Sequence, residues 1–278
     1  MLYIYSKYQI MGRPRTYTLD ENYFDNIDTP NKAYIIGFLY ADGSINLKRN
    51  LLTICISEKD REILEFIKKE LNYSGIISSK KIKENSYLSL NITSKKLILK
   101  LQSIGVIQNK TYESKSLPII PDNLFYDMLR GIFDGDGSIY GDFNKGYTVC
   151  FSSNVYILRI IKEILFNKGI KTSNIRLRNK KSEYSAMLEM RSNVSIENFK
   201  RLIYNDSFYL KRKFYKFLEF EKYIKTLLKR NIEINTIEII KKLYQEGKTQ
   251  KEIHINLDIP YSSVRTVIQR LRKNKNII

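Results

Sequence analysis

Scarcity is informative in this chain. Its 278 residues contain no tryptophan, one histidine, two cysteines, and only 12 glycines and 5 prolines. Two cysteines in so long a chain exclude a disulfide framework and point to a reducing compartment. Low glycine and proline, with charged residues (28%) mixed among hydrophobic ones (43%), exclude a disordered chain. No window approaches eighteen consecutive apolar residues, so no membrane span is expected. The N-terminal stretch MLYIYSKYQIMGRPR lacks the uninterrupted apolar core and small-residue cleavage site of a signal peptide. A cytoplasmic location (bacterial or phage host) or an organelle matrix is expected, not secretion. Acids are also short, with 29 Asp and Glu against 48 Lys and Arg, a net charge of +19. Such a surplus calls for a polyanion. Nucleic acid is the leading partner, because the basic residues are spread over strands and helices and form no amphipathic membrane stripe.

What the chain does have is an internal repeat. Residues 35–45 read IIGFLYADGSI, and residues 129–139, 94 positions further on, read LRGIFDGDGSI. Thr29-Pro30 supplies a cap and a proline at the first helical position, and Pro121-Asp122 opens the second segment similarly. Each helix ends in Asp-Gly-Ser-Ile, which leads into a strand. Downstream, LLTICISEKDREILEFIKKEL (51–71) parallels YTVCFSSNVYILRIIKEIL (147–165), an alternating strand followed by an amphipathic helix. Cys55 and Cys150 fall at matching places and are expected to be buried small apolar residues. A second strand pair follows in each half: 76–83 with 87–93, and 175–181 with 184–190. Each half then closes with a helix, and one long helix from about Phe208 to Leu228 ends the second.

Gly37 and Ala41 are four apart, as are Gly131 and Gly135, so each repeat helix carries a stripe of small residues. Mid-helix glycine costs up to about 1 kcal/mol against alanine, which implies a packing reason: two helix backbones in close approach. A crossing there brings Asp42 and Asp136 together. Two carboxylates so close would repel unless divalent cations lay between them, and Mg²⁺ suits carboxylate, carbonyl and phosphate oxygens.

With IIGFLYADG and LRGIFDGDG on the page, the chain resembles a single-chain, two-motif LAGLIDADG homing endonuclease over roughly residues 20 to 225. The resemblance implies an α+β fold of two pseudo-symmetric αββαββα units, their four-stranded sheets forming a saddle over duplex DNA, in a monomer. It implies a site-specific, Mg²⁺-dependent double-strand cut in a long, weakly palindromic target. Asp42 and Asp136 match the family's catalytic, metal-binding acid. Asp134 matches an earlier acidic position, where the first repeat has Tyr40, and that position is not the essential one. A basic residue near each scissile phosphate falls on Lys110 and, within YLKRKF, on Lys213 in preference to Lys211. Its role would be electrostatic, stabilising charge in the transition state.

Alternate strand residues face opposite ways, so the polar set is expected on the DNA side. In the first half this set is Ser44, Asn46, Lys48 and Arg49, with Ser78, Lys80 and Asn91. In the second it is Tyr140, Asn144, Lys145, Arg176, Arg178, Lys180 and Tyr184.

The C-terminal segment resembles a trihelical helix-turn-helix module. Thr249 and Glu252 form a capping box, and Val264, Val267, Ile268 and Leu271 an apolar stripe. The helix after Pro260 would be the recognition helix, with Ser262, Ser263, Arg265 and Arg270 toward DNA. His254 and Asp258 depart from the usual small residue and turn glycine. With no Cys or second His nearby, His254 is not read as a metal ligand. Arg13 and Arg15 are a minor-groove arm or a basic leader, and Met11 is an alternative start. The expected domains are 1–28 (basic arm and lead-in), 29–110 (first repeat), 111–120 (linker), 121–228 (second repeat) and 229–278 (helix-turn-helix). Two other readings stay open: a non-catalytic LAGLIDADG and helix-turn-helix transcription regulator, and an RNA maturase acting on intron RNA.

Overall fold

The computed structural model describes residues 16–82, 84–179, 182–204 and 207–275. Arg13, Arg15 and Lys180 therefore lie outside the described residues. The chain divides into two compact units, Met1–Phe217 and Leu218–Ile278.

The first unit contains two copies of one arrangement. Helix α1 (Pro30–Asp42) leads into strands β1 (Gly43–Asn46) and β2 (Leu51–Ser57), helix α2 (Arg61–Glu70), strands β3 (Ile77–Ile82) and β4 (Asn85–Thr93), and helix α3 (Lys95–Ser103). The short helix α4 (Lys110–Glu113) lies in the connector. Helix α5 (Phe125–Asp136), strands β5 (Gly137–Asp142) and β6 (Gly146–Ser153), helix α6 (Val155–Asn167), strands β7 (Arg176–Asn179) and β8 (Ser182–Met190), and helix α7 (Asn193–Ile203) repeat the order. Each copy makes one antiparallel four-stranded sheet, ordered β1-β2-β4-β3 and β5-β6-β8-β7. The expected αββαββα pattern holds in both. One face of each sheet is apolar. Leu52, Ile54, Leu88, Leu90 and Ile92 of the first sheet are fully buried, as are Ile63, Leu64 and Ile67 of α2. In the second, Val149, Phe151, Ala186, Leu188 and Met190 are buried, as are Leu158 and Ile161 of α6.

Helices α1 and α5 pack against each other. α1 is buried continuously from Ala33 to Ala41, as a helix apolar all round must be. The small residues decide how close the two can come. A Cβ on Gly37 would sit 2.0 Å from the Met128 carbonyl oxygen, and one on Gly131 would sit 2.0 Å from that of Tyr34. Backbone meets backbone there, and no side chain fits.

After α7 the chain enters α8 (Lys211–Gln245), a single 35-residue helix. The helix does not end near Leu228, as the sequence suggests, but runs on to Gln245. No glycine or proline lies between Lys211 and Gly247 to stop it. The second unit holds the rest of α8 with α9 (Gln250–Leu257) and α10 (Tyr261–Lys275), built around buried Ile240, Ile253, Val264 and Ile268. The Thr249/Glu252 capping box forms. Asp258 takes the left-handed turn position with φ 48°, a conformation that a short polar side chain tolerates. His254 Nδ1 lies 2.5 Å from the Ile259 carbonyl oxygen and so pins that turn.

Candidate active site and nucleic-acid interface

The site begins where α1 and α5 stop. Each ends on an aspartate, Asp42 or Asp136, followed by a glycine in extended conformation that starts a strand. The small-residue contact continues to these ends: a Cβ on Gly135 would lie 2.3 Å from the Ala41 Cβ and 3.4 Å from Asp42 Oδ2. Both carboxylates stand at helix C-termini, where the helix dipole disfavours negative charge. Burial raises the pKa of Asp42, and burial followed by the charge of Asp42 pushes Asp136 up to about 7. The pair holds a proton more tightly than two exposed carboxyls would. Lys110 and Lys213 both oppose this rise.

The two lysines dock in equivalent ways. Lys110 Nζ donates to the carbonyls of Leu39 (3.3 Å) and Gly43. Lys213 Nζ donates to Phe133 (2.7 Å) and Gly137 (2.5 Å), the same positions one repeat later, and also to Asp134 (2.6 Å) and Gly135 (3.4 Å). Each ammonium thus neutralises the carbonyl end of a helix that carries an aspartate. Lys213 is 4% exposed, whereas Lys110 is half-buried. Burial pulls the pKa of Lys213 down to about 8 and lowers that of Lys110. Lys211 is elsewhere: it is exposed, and its Nζ lies 3.3 Å from Glu62 Oε2.

Each lysine segment is clasped by the opposite repeat. Asn154, the cap of α6, donates through Nδ2 to the carbonyls of Thr111 (3.4 Å) and Ser114 (3.0 Å). Arg212 makes a bidentate pair with Asp60 (2.8 Å to both oxygens), and the Lys211 N–H donates to Glu62 at 3.0 Å. Sequence reasoning missed Asn154, Asp60 and Arg212, since their partners are 40 to 152 positions away. Asp134 turns away from the paired acids. It accepts from the Tyr34 hydroxyl and the Leu210 N–H, both at 2.8 Å, and burial pushes its pKa up to about 6. Its counterpart Tyr40 bonds Ser114 (2.7 Å) and the Ser116 carbonyl (3.0 Å). Both positions tie a repeat helix to the segment that bears its lysine. Beside Asp136 and Lys110 opens a polar cleft of about 200 Å³, lined also by Thr111, Ser152, Ser153, Asn154 and Tyr184.

The sheets' second faces are polar. Ser44 pairs with Thr53, Thr53 with Asn91, and Ser78 with Ser89, so Ser44, Asn46, Ser78, Lys80 and Asn91 share one face as expected. Lys48 and Arg49 are exposed in the β1–β2 turn, and Asn144 and Lys145 in the β5–β6 turn. Tyr140, Arg176 and Arg178 share the polar face of the second sheet with Cys150 and Glu189. Tyr184 does not: its parity is that of Ala186 and Leu188, and its ring packs edge-on to Tyr112.

The cysteines also need correction. Cys55 is exposed and only Cys150 is buried. Both lie on the polar face, Cys55 opposite Ser89 and Cys150 opposite Glu189. Glu189 is the residue sequence reasoning overlooked there. Its Oε1 accepts from the Tyr140 hydroxyl (2.9 Å), and its Oε2 from Nη2 of Arg176 (2.6 Å) and of Arg191 (2.8 Å). This network covers Cys150, while the small Ser89 leaves Cys55 open.

In the second unit, Ser262, Ser263, Arg265 and Arg270 are all exposed on α10, opposite buried Val264 and Ile268. No described helix is long and apolar enough to cross a membrane.

Among solved structures, the I-LtrWI LAGLIDADG homing endonuclease bound to target DNA is 18% identical, covering 72% of this chain and 92% of its own, with a TM-score of 0.47. The meganuclease I-SmaMI bound to uncleaveable DNA is 15% identical, covering 72% and 90%, at 0.46. Full-length DUF199/WhiA from Thermatoga maritima is 16% identical, covering 93% and 96%, at 0.44. No curated protein matches. The LAGLIDADG-like domain matches residues 29–104 and 127–204, together more than half of the sequence, and the chain belongs to that family.

Proposed function

We propose that the protein is a site-specific, divalent-metal-dependent DNA endonuclease that makes a double-strand cut by phosphodiester hydrolysis. One observation carries the reading: both repeats end their packed helices on an acid, Asp42 and Asp136, and each acid has a lysine fixed beside it. A purely DNA-binding scaffold has no use for two carboxylates held against their own charge at buried helix ends. Their chemistry fits a hard cation such as Mg²⁺. Among the described residues no group of three acidic, His or Cys side chains forms, so water and phosphate oxygens would complete the ligand set around Asp42 and Asp136. When bound, the ion supplies Lewis-acid stabilisation of the phosphate and a lowered pKa for attacking water.

The chain's own residues do the rest. Lys110, which lines the cleft beside Asp136, would reach a phosphate oxygen and stabilise developing charge. Lys213 acts as a fixed charge behind the helix end. The polar sheet faces and the exposed turns bind the duplex and select its sequence. One chain supplies both acids, so the working form is a monomer. The trihelical second unit would be a helix-turn-helix tether on one flank, through α10. The basic N-terminal arm carrying Arg13 and Arg15 would add phosphate contacts.

The test is a selection of cleaved duplexes from a randomised or genomic library with the full chain and Mg²⁺. Recovery of a reproducible long site supports the reading. A chain that binds a defined duplex yet leaves both strands intact would favour the regulator.

A further inference from the structure

Glu189 has no evident reason to be where it is. An acid on a sheet face that meets a polyanion costs binding, and this one is 2% exposed, deep in that face. Both of its oxygens are occupied, by the Tyr140 hydroxyl and by two guanidinium groups. Three donors already take up most of its acceptor capacity, and at 2% exposure it is poorly placed to read a base itself. Burial alone would raise its pKa, but Tyr140 and the two arginines outweigh that and hold it ionised. The arginines show what it is for. Each gives one nitrogen, Nη2, to the carboxylate, yet their side chains remain 57% and 64% exposed. Arg176 lies on the polar face of β7, and Arg191 follows the end of β8.

An arginine held at one nitrogen has given up part of its rotamer freedom before it meets a ligand, so it spends less entropy on binding. A planar, oriented guanidinium in the major groove suits the paired O6 and N7 acceptors of guanine. In the first repeat the corresponding position is Ser89, beside Cys55, Thr53 and Asn91, all neutral. Thr53 there donates to Asn91 at 2.8 Å, a link between amide and hydroxyl with no ion pair.

We propose that Glu189 is a positioning residue for base recognition, which fixes Arg176 and Arg191 on the second sheet and commits that half of the target to guanine. This rests on the reading of the polar sheet faces as the DNA-binding surface. The half of the target under the first sheet meets hydroxyls, amides and the unclamped Lys80, with no guanidinium held by an acid on that face among the described residues, and tolerates more substitution.

The experiment selects duplexes from a randomised library with the full chain and then measures binding to single-base variants of the winner. It compares wild type with Glu189→Gln, Arg176→Ala, and the double variant. Glutamine keeps the shape and an oxygen for Tyr140 but loses the charge that holds the arginines. The expected result is at least one guanine whose replacement costs wild type on the order of tenfold or more. Glu189→Gln and Arg176→Ala should both relax that same base pair, and the double variant should relax it no further. Uniformly tighter binding by Glu189→Gln, with the guanine preference intact, would overturn the proposal, because the acid would then be only an unfavourable charge. Uniformly weaker binding with a lowered Tm would overturn it in favour of a merely structural role. A chain that selects no duplex would overturn both this inference and the nuclease reading. A guanine preference lost in both variants, in a chain that never cuts, would uphold this inference and remove the nuclease.

Discussion

The two repeats share a backbone and differ in what surrounds it. Around the first lysine, Lys110, two carbonyls accept and a cleft opens beside Asp136; around the second, Lys213, four carbonyls accept and the ammonium is sealed. The first sheet presents hydroxyls, amides and Lys80, the second an ion-paired cluster around Glu189. The lesson is that duplication preserves what the backbone dictates. A helix that ends in Asp-Gly leaves unpaired carbonyls, and a cation to satisfy them recurs in each copy. Side chains facing solvent or ligand carry no such constraint, so they diverge.

The comparison breaks most sharply at the acids. Asp42→Asn and Asp136→Asn should each abolish double-strand cutting, by about a thousandfold, while site binding stays within a few-fold. Plasmid linearisation in Mg²⁺ measures this. Ca²⁺ in place of Mg²⁺ should preserve binding and stop cutting, because it is larger and looser in geometry. If one aspartate proved dispensable for both strands, the symmetric reading of the site would be wrong.

The lysines should divide. Lys213→Ala leaves buried carbonyls without a donor and should cost about 2–4 kcal/mol of stability. Lys110→Ala, beside an open cleft, should cost less than about 1 kcal/mol yet slow cutting by about ten- to a hundredfold. Chemical denaturation and single-turnover cleavage separate the two. Equal losses of stability would show that the lysines are equivalent after all.

A smaller effect concerns Asp136 alone. Its pKa is raised from 3.8 to about 7 in the folded chain, so the native state binds the proton more tightly than the unfolded state. The carboxylate therefore costs stability progressively as pH rises from about 4 to about 7, and the cost is absent at lower pH. Asp136→Asn should stabilise the chain at pH 7 by about 1–2 kcal/mol, with little effect at pH 4. A variant no more stable than wild type at pH 7 would show that the acid is not strained. The smallest change should follow removal of residues 231–278. Cutting position should stay fixed, the footprint should shorten on one flank, and the salt slope should fall by roughly 0.9 for each lost phosphate contact. An unchanged footprint would mean that the second unit does not touch DNA.

The sequence by itself determined the two-repeat fold. Paired DG-S-I motifs, alternating strands and small-residue stripes are local patterns whose physics is local, so both sheets, their order of elements and the α1–α5 contact were legible. So were Asp42 and Asp136, because each is the last residue of a recognisable helix. Lys213 could be favoured over Lys211 only by position, and tertiary structure separated them: one points into four carbonyls, the other pairs with Glu62. Only the folded chain revealed Asp60, Arg212, Asn154 and Glu189, since their chemistry depends on partners brought from distant positions. The burial of Cys150 against the exposure of Cys55 was decided the same way. Strand periodicity assigns a residue to a face, but whether that face is covered depends on the neighbouring strand's side chain, here Glu189 in one repeat and Ser89 in the other.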